Sequence, residues 1–192
     1  MHQLTVQPLH NNKIGNWATA WPSPLPDGQS PNAWKSQHSD FWHVHDFDPG
    51  EGGETEVLWV TYRPRALVVS SLEVHWHTQQ AVVPLGTASI IQVLCPSRTD
   101  GSNAPDIEHI GAWLIQPGQG ICMMPGCWHA TFALDQEATT LMLSRRSTTL
   151  DLVEQLSTSA SHSINKIRNP ARGETSHLFH PDIPEIQLIV YR

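Results

Sequence analysis

The sequence predicts an all-β protein, built as a sandwich or jelly-roll barrel with a few short helices. From residue 55 onward, short runs rich in Val, Ile and Leu follow one another, and Gly or Pro residues separate them. At 192 residues and 39% hydrophobic content, the chain can bury a substantial core. A single domain over residues 1–192 is therefore expected.

The elements can be predicted in order along the chain. Residues 1–9 alternate loosely and predict a short edge strand, whereas the prolines within residues 18–39 predict an irregular loop. Residues 40–46 alternate again and place His43 and His45 on one face, where two solvated histidines are an equally good interpretation. The main run of strands is then predicted at residues 56–62, 66–76, 80–85, 88–94, 120–124, 128–134 and 140–145.

Helical structure is expected in two places. Ile107, Ile110 and Leu114 recur at helical spacing and predict one or two helical turns within residues 105–115. After the barrel, a helix, a polar loop and a final strand are predicted over residues 148–156, 157–184 and 185–191.

Composition excludes some classes of partner. The formal charge of −7 and the absence of a basic run argue against binding to a nucleic-acid backbone. No window is long and apolar enough to span a bilayer, so no membrane partner is expected. Cys95, Cys122 and Cys127 are an odd number without metal-type pairing, which favours a reduced, cytoplasmic setting.

Residues 71–86 carry the strongest chemical signal, because Glu73, His75 and His77 are spaced two residues apart. Side chains alternate along a strand, so all three are predicted to share one face. Three acid/base or ligand groups make a poor hydrophobic core and a good site. Gln80 follows and is a candidate ligand or partner for a substrate amide.

A second stretch, residues 118–129, ends in His129 just after a Pro-Gly turn. A strand pair closed by that turn would bring His129 opposite His75 and His77. Together with Gln80, these histidines are predicted to converge on one point, where they would hold one divalent ion if a metal is bound. Zn, Mn, Ni and Fe all suit this donor set.

The motif order LEVH, QAVVPL, PDIEHIGAWL, GQGICMMPGCWH and TTLMLSRR resembles the ureidoglycolate lyase family of the cupin superfamily. The resemblance covers residues 1–150 and is strongest over 71–130. It implies a cupin-type jelly-roll barrel. Residues 157–192 lie outside the match and are expected to form a C-terminal extension that packs on the barrel. The resemblance also implies a homodimer and a C–N lyase that cleaves ureidoglycolate, a small carboxylate, to glyoxylate and urea in allantoin breakdown.

The resemblance also suggests roles for single residues. His75 and His129 occupy the positions of working histidines in the two cupin motifs, and Glu73 is a third catalytic candidate. Arg63 matches a family arginine and is expected to hold the substrate carboxylate. Substrate contacts are also expected from Gln80, His43 and Trp128.

The chain departs from the family pattern at three points. Ala130 stands where a second histidine often follows Trp-His, a turn lysine is missing after Pro84, and His77 is additional. These differences favour an alternative, a metal-dependent cupin enzyme such as a dioxygenase or isomerase acting on another small carboxylate. A third interpretation is a cupin that binds a small ligand without catalysis.

Overall fold

The computed structural model describes residues 2–10, 13–22, 33–159, 177–180 and 183–191. Within these residues the chain forms sixteen strands, one α-helix and one 3-10 turn. The elements are β1 His2–Pro8, β2 Lys13–Ile14, β3 Ala18–Trp21, β4 Ala33–Lys35, β5 Asp40–Trp42, β6 Thr55–Tyr62, β7 Val68–Val69, β8 Leu72–His75, β9 Gln80–Pro84, β10 Ile90–Cys95, the 3-10 turn Ile107–His109, β11 Gly111–Ile115, β12 Gly120–Met123, β13 Trp128–Ala133, β14 Ala138–Arg145, α1 Arg146–Ser159, β15 His177–His180 and β16 Ile186–Ile189.

Two large sheets build the molecule. The larger has eight strands in the order β15-β8-β13-β10-β11-β1-β16-β7, and the smaller has six in the order β2-β3-β12-β9-β14-β6. Strands β4 and β5 form a separate hairpin. The two large sheets face each other and nearly close into a barrel, so the predicted all-β, cupin-type fold is confirmed.

The burial of each strand follows its place in the sheets. Along β6, at the margin of the smaller sheet, half-buried and exposed residues alternate, as expected for a strand with one face in water. All six residues of β10 are buried, because both faces of the larger sheet are covered there.

Each face of the larger sheet packs against its own hydrophobic cluster. The hydrophobic core of the barrel lies on the inner face and includes Val82, Ile90, Ile115, Ile121, Met123 and Met142, which come from both sheets. The outer cluster includes Val74, Ile91, Val93, Trp128, Phe132, Ile186 and Leu188. Polar side chains on the inner face of β8 and β13 are therefore enclosed between the two sheets.

Three predicted elements need correction. Strand β1 is not an edge strand, because it runs parallel to both β11 and β16. Only one 3-10 turn forms within residues 105–115, and the rest becomes β11, which pairs with β10. Strand β3 lies in the segment predicted as an irregular loop and pairs with β12.

The described parts of the C-terminal region join the larger sheet. Strand β15 pairs with β8, and β16 lies between β1 and β7. The predicted helix at 148–156 lies within α1, whereas most of the predicted polar loop falls outside the described residues. Across the described chain, no helix has the length and apolar character needed to cross a membrane.

Candidate active site

The pairing of β13 with β8 brings three candidate residues together. His129 lies directly opposite Glu73, and His75 lies on the same face of β8, two residues further on. Nε2 of His129 is 3.0 Å from Oε1 of Glu73, and Nε2 of His75 is 3.9 Å from the same oxygen. The two imidazole rings are 5.0 Å apart between centroids. These three residues are named here the inner cluster of acid/base groups.

A tight turn locks the two motifs against each other. Pro125 and Gly126 form the turn, with the N–H of Cys127 donating to the carbonyl of Met124 at 3.1 Å. Gly126 has φ +79°, which favours glycine, and its N–H donates to the main-chain oxygen of His75 at 2.8 Å. The turn therefore fixes the position of His129 relative to His75 along the paired strands.

The main chain sets the proton position on His129. Its Nδ1 is 3.0 Å from the carbonyl oxygen of Cys127, and a carbonyl can only accept a hydrogen bond. Nδ1 therefore carries a proton, and Nε2 is the nitrogen that faces Glu73. In the described part of the chain, Nε2 makes no well-aligned hydrogen bond, although the carboxylate is within contact distance.

Gln80 joins the site from the opposite sheet. Its side-chain nitrogen lies 3.0 Å from Nε2 of His75, and an amide nitrogen can only donate, so His75 accepts through Nε2. In register, Gln80 lies opposite Met123 on β12. The structure thus brings His75 together with His129 and places the Gln80 amide against His75, while the roles of these residues and the place of Gln80 among metal ligands remain predictions.

The site is enclosed but reachable. His129 and His75 are only 2% and 4% exposed, whereas the Glu73 side chain retains 27%. One nitrogen from each histidine and one Glu73 oxygen all lie within 4.8 Å of one another. This is a donor set that could hold a metal ion.

His77 does not belong to this arrangement. Strand β8 ends at His75, the chain bends at residues 76 and 77, and His77 is exposed. The alternation that would have aligned His77 with His75 stops at His75, two residues too early. The expectation that His77 converges with the other ligands is therefore wrong.

Arg63, the residue predicted to hold the substrate carboxylate, lies elsewhere, and so does Arg145 at the end of β14. Arg63 is exposed beyond the end of β6, where its Nε is 3.3 Å from Glu137. Arg145 is buried and donates to the carbonyl oxygens of Pro49 and Glu51, so it organises a loop. Neither arginine is placed by these contacts in the inner cluster of acid/base groups.

The segment after β5 crosses the turn between β8 and β9. The contact is made by His45, whose Nε2 donates to the side-chain oxygen of Gln79 at 3.0 Å. His43 is exposed and pairs with Asp46. His45 and Gln79 therefore hold this segment against the turn. Sequence reasoning had chosen His43 as the functional histidine of the segment.

Trp128 faces away from the site. It precedes His129 on β13, so its side chain projects to the other face, where it packs edge-on against Trp76 at 5.9 Å between centroids. The prediction that Trp128 lines the substrate pocket is wrong for this reason.

Sequence reasoning missed three polar residues inside the barrel: Tyr62, Gln92 and Thr131. Burial raises the pKa of Tyr62 to about 12, with a further increase from the charge of Glu73. The signal was present in β10, where Gln92 is the one polar residue in an otherwise apolar buried run.

Solved structures with a similar fold are distant. RmlC from Streptococcus suis, in complex with dTDP-D-xylose, matches with a TM-score of 0.37 and 10% identity over 47% of this chain and 43% of that one. A dTDP-4-dehydrorhamnose 3,5-epimerase from Elizabethkingia anophelis gives 0.38 and 10% over 67% and 74%. Streptomyces albus HEPD, with 2-hydroxyethylphosphonate and Fe(II) bound, gives 0.33 and 19% over 80% and 29%. At these TM-scores the similarities carry no argument about chemistry.

The family comparison is far more extensive. No curated protein sequence matches the chain. The family model described as ureidoglycolate lyase matches residues 1–164, which include the whole inner cluster, its turn and Gln80. The chain therefore belongs to the ureidoglycolate lyase family.

Proposed function

We propose that this protein is a ureidoglycolate lyase, which cleaves ureidoglycolate into glyoxylate and urea. The observation that supports the proposal is the inner cluster of Glu73, His75 and His129, enclosed in a barrel of the matching family. Breaking the C–N bond of this substrate requires one proton to leave the hydroxyl group and one proton to reach the departing nitrogen. The cluster offers groups for both transfers.

Glu73 and His129 hold the proton that is delivered. With Nδ1 of His129 donating to Cys127, Nε2 and the carboxylate oxygen of Glu73 would be two acceptors 3.0 Å apart. Two lone pairs at that distance repel, so one of the two atoms must carry a proton, or both must bind a cation. In the proton-bound form, this pair is the acid that protonates the urea nitrogen.

His75 is the base. Its Nε2 already accepts a hydrogen bond from Gln80, which marks this nitrogen as unprotonated in the neutral ring. Once the amide of Gln80 turns away from Nε2, this nitrogen takes the hydroxyl proton as the carbonyl of glyoxylate forms and the C–N bond breaks. Glu73 lies 3.9 Å from His75 and 3.0 Å from His129, so its carboxylate can return the proton between the two rings after each turnover.

A divalent ion also fits the donor set of two imidazole nitrogens and one carboxylate oxygen. Nε2 of His129 is buried without an aligned hydrogen bond in the described chain, as a nitrogen awaiting a ligand would be. The Nδ1 contact to Cys127 is the type of second contact that orients metal-binding histidines. When bound, such an ion supplies Lewis-acid polarisation of the substrate oxygens. His75 can join it only if the amide of Gln80 turns away.

The activity is tested by release of urea and glyoxylate from ureidoglycolate. Protein purified without a metal-affinity tag is assayed as isolated, after chelator treatment, and after addition of Zn, Mn, Ni or Fe. We expect equimolar release of the two products. No release under any of these conditions would reject the lyase and leave two alternatives, a metal-dependent enzyme on another small carboxylate and a cupin that binds a ligand without catalysis.

The cellular setting belongs to the same proposal. Cys95, Cys122 and Cys127 are free and buried, as in proteins of a reducing compartment. We therefore place the reaction in the cytoplasm.

A further inference from the structure

Strand β10 carries one polar side chain into the barrel. Ile90, Gln92 and Leu94 alternate with residues of the outer cluster and project inward, and Gln92 is fully buried. A fully buried amide has two N–H donors and a carbonyl oxygen to satisfy, and leaving them unsatisfied is costly. An apolar side chain of the same size would avoid this cost, so the presence of glutamine needs an explanation.

The hydroxyl group of Thr131 fixes the orientation of this amide. Thr131 lies opposite Gln92 in register, and its hydroxyl donates to the Gln92 oxygen at 2.9 Å. Tyr62 also interacts with the Thr131 side chain, and this interaction partly offsets the rise that burial causes in the pKa of Tyr62. Burial raises the pKa of Tyr62 to about 12, so Tyr62 remains a donor across the neutral range.

This orientation directs the nitrogen of Gln92 toward the opposite sheet. In the described chain its hydrogen-bond contact is the sulfur of Met123 at 3.5 Å, a weak acceptor. Met123 lies opposite Gln80, which contacts His75. The amide nitrogen therefore points across the barrel toward β12, the strand that pairs with Gln80, and one of its two N–H groups is left for another acceptor.

The distance between His129 and the amide of Gln92 also suits a small substrate. Thr131 is two residues from His129 on the same face of β13, so the pair Gln92–Thr131 is about 7 Å further along the strand than His129. A molecule as short as ureidoglycolate can reach from the imidazole to the amide.

We infer that Gln92 is a catalytic residue whose side-chain N–H donates to the carbonyl oxygen of the ureido group. The inference rests on the proposed lyase function and names the part of the substrate that this end of the site recognises. When the C–N bond breaks, the electron pair stays on the urea nitrogen and delocalises onto that carbonyl oxygen until the nitrogen is protonated. A donor aimed at the oxygen stabilises this charge and strengthens as the reaction proceeds.

The test replaces Gln92 by methionine, which is similar in length and has no N–H donor. We expect Gln92→Met to lower kcat about 10²-fold, near the lower end of the effect of removing one such donor. Two competitive ligands separate recognition from general damage: N-carbamoylglycine carries the ureido group, and glycolate lacks it. Gln92→Met should weaken N-carbamoylglycine about tenfold and leave glycolate unchanged, a difference close to one hydrogen bond.

Two further variants protect the interpretation. Gln187→Met makes the same chemical change on β16, where the amide donates to the main-chain oxygens of Leu67 and Leu188, and it should leave both ligands and kcat unchanged. Thr131→Val keeps the donors of Gln92 but releases the amide to turn, so it should weaken N-carbamoylglycine selectively and by less. If Gln92→Met does not fold, Thr131→Val decides the question.

The outcomes are distinct from those of the lyase assay. A Gln92→Met protein with unchanged kcat and an unchanged ratio of the two affinities overturns the role of Gln92 while the lyase stands. If wild-type protein releases no urea, the lyase fails, and the selective loss of N-carbamoylglycine still supports ureido recognition by Gln92. Wild-type protein that does not bind N-carbamoylglycine overturns the inference outright.

Discussion

At the scale of the single residue, His129 carries the sharpest prediction. It contributes both the Glu73 contact and the Nδ1 contact to Cys127, and the neighbouring position holds Ala130, so no adjacent histidine can replace it. We expect His129→Ala to lower turnover by about 10²–10⁴-fold, the usual contribution of a positioned proton-transfer group. Urea release measures the effect. His109→Ala, which removes an exposed histidine paired with Asp106, is the control and should retain wild-type turnover.

His77 gives the opposite prediction. Because it is exposed and lies beyond the end of β8, His77→Ala should leave turnover within twofold of wild type, with or without added metal. Urea release at saturating substrate is the measurement. A large loss that added metal reverses would show that His77 reaches the inner cluster during the reaction.

The site residues show what alternation along a strand can and cannot predict. It correctly groups Glu73 with His75, because both lie inside the limits of one strand. It fails at His77, because the strand ends where the chain meets the crossing segment, and that contact is distant in sequence. Applied strictly, the same rule predicts that Trp128 and His129, as neighbours on one strand, project to different faces of the sheet. Gln92 was missed because a buried run gives no sign of which neighbours its one amide will meet.

At the scale of the element, the loop before β6 depends on a close approach of main chains. Gly50 has φ +79°, and a Cβ there would collide with the main-chain oxygen of His77. Gly52 has φ +63° with nothing within 4 Å of the added carbon. Both positions disfavour side chains, but only Gly50 combines this with a collision.

Comparison of Gly50→Ala with Gly52→Ala therefore isolates the collision. We expect Gly52→Ala to cost about 1–2 kcal/mol in the free energy of unfolding, the penalty of the left-handed conformation alone. Gly50→Ala should cost clearly more, because the loop must move away from residues 76–79. Chemical denaturation measures both. Equal losses in the free energy of unfolding would show that the loop can move away from residues 76–79 without an added cost.

Strand order illustrates the limit of prediction for elements. The strand at residues 1–9 was predicted correctly, but its place was not, since its partners β11 and β16 lie more than a hundred residues away in sequence. The local sequence pattern carries no information about pairing between strands so distant in sequence. The segment at 105–115 shows the related ambiguity, because short apolar runs suit a helix or a strand until a partner is known.

At the scale of the whole molecule, the outer face of the smaller sheet is incompletely covered within the described chain. Val57 and Trp59 on β6 are 62% and 68% exposed. They lie beside β14, whose outward residues Leu141 and Leu143 line a cavity of about 270 Å³ with Val44, Phe47 and Trp21. Exposed apolar surface of this kind marks an interaction site, and we propose that a second copy of the chain covers it in a homodimer.

Light scattering tests the homodimer. Wild-type protein at micromolar concentration should have twice the monomer mass, and Trp59→Glu should shift it to the monomer, because a buried unpaired carboxylate opposes association. Tyr191→Glu changes another exposed aromatic residue and should remain dimeric. A monomeric wild-type protein would contradict the proposal.

Stability should also fall at alkaline pH. Burial raises the pKa of Cys95, Cys122 and Cys127 from 9.0 to about 12 and that of Tyr62 from 10.0 to about 12. These groups stay protonated in the folded chain when the unfolded chain has released its protons, so the unfolded state gains as pH rises. The stabilisation is complete below about pH 9 and is lost progressively as the pH rises toward 12.

Thermal denaturation between pH 8 and pH 11 measures this loss as a falling Tm. The decline should be smaller in Cys122→Ala after allowing for its own effect at pH 8, since one of the four groups is removed. A Tm that is constant to pH 11 would show that these thiols titrate normally.

The hydrogen bond between His129 and the carbonyl of Cys127 has a consequence for how the enzyme can vary. A carbonyl oxygen belongs to the main chain, so no substitution at position 127 deletes the acceptor that fixes the imidazole. Among variants that still fold, a mutational library should therefore tolerate other small side chains at the buried position 127 and almost none at 129. The orientation of the histidine therefore depends on the main-chain conformation of the turn and not on the identity of the side chain at position 127.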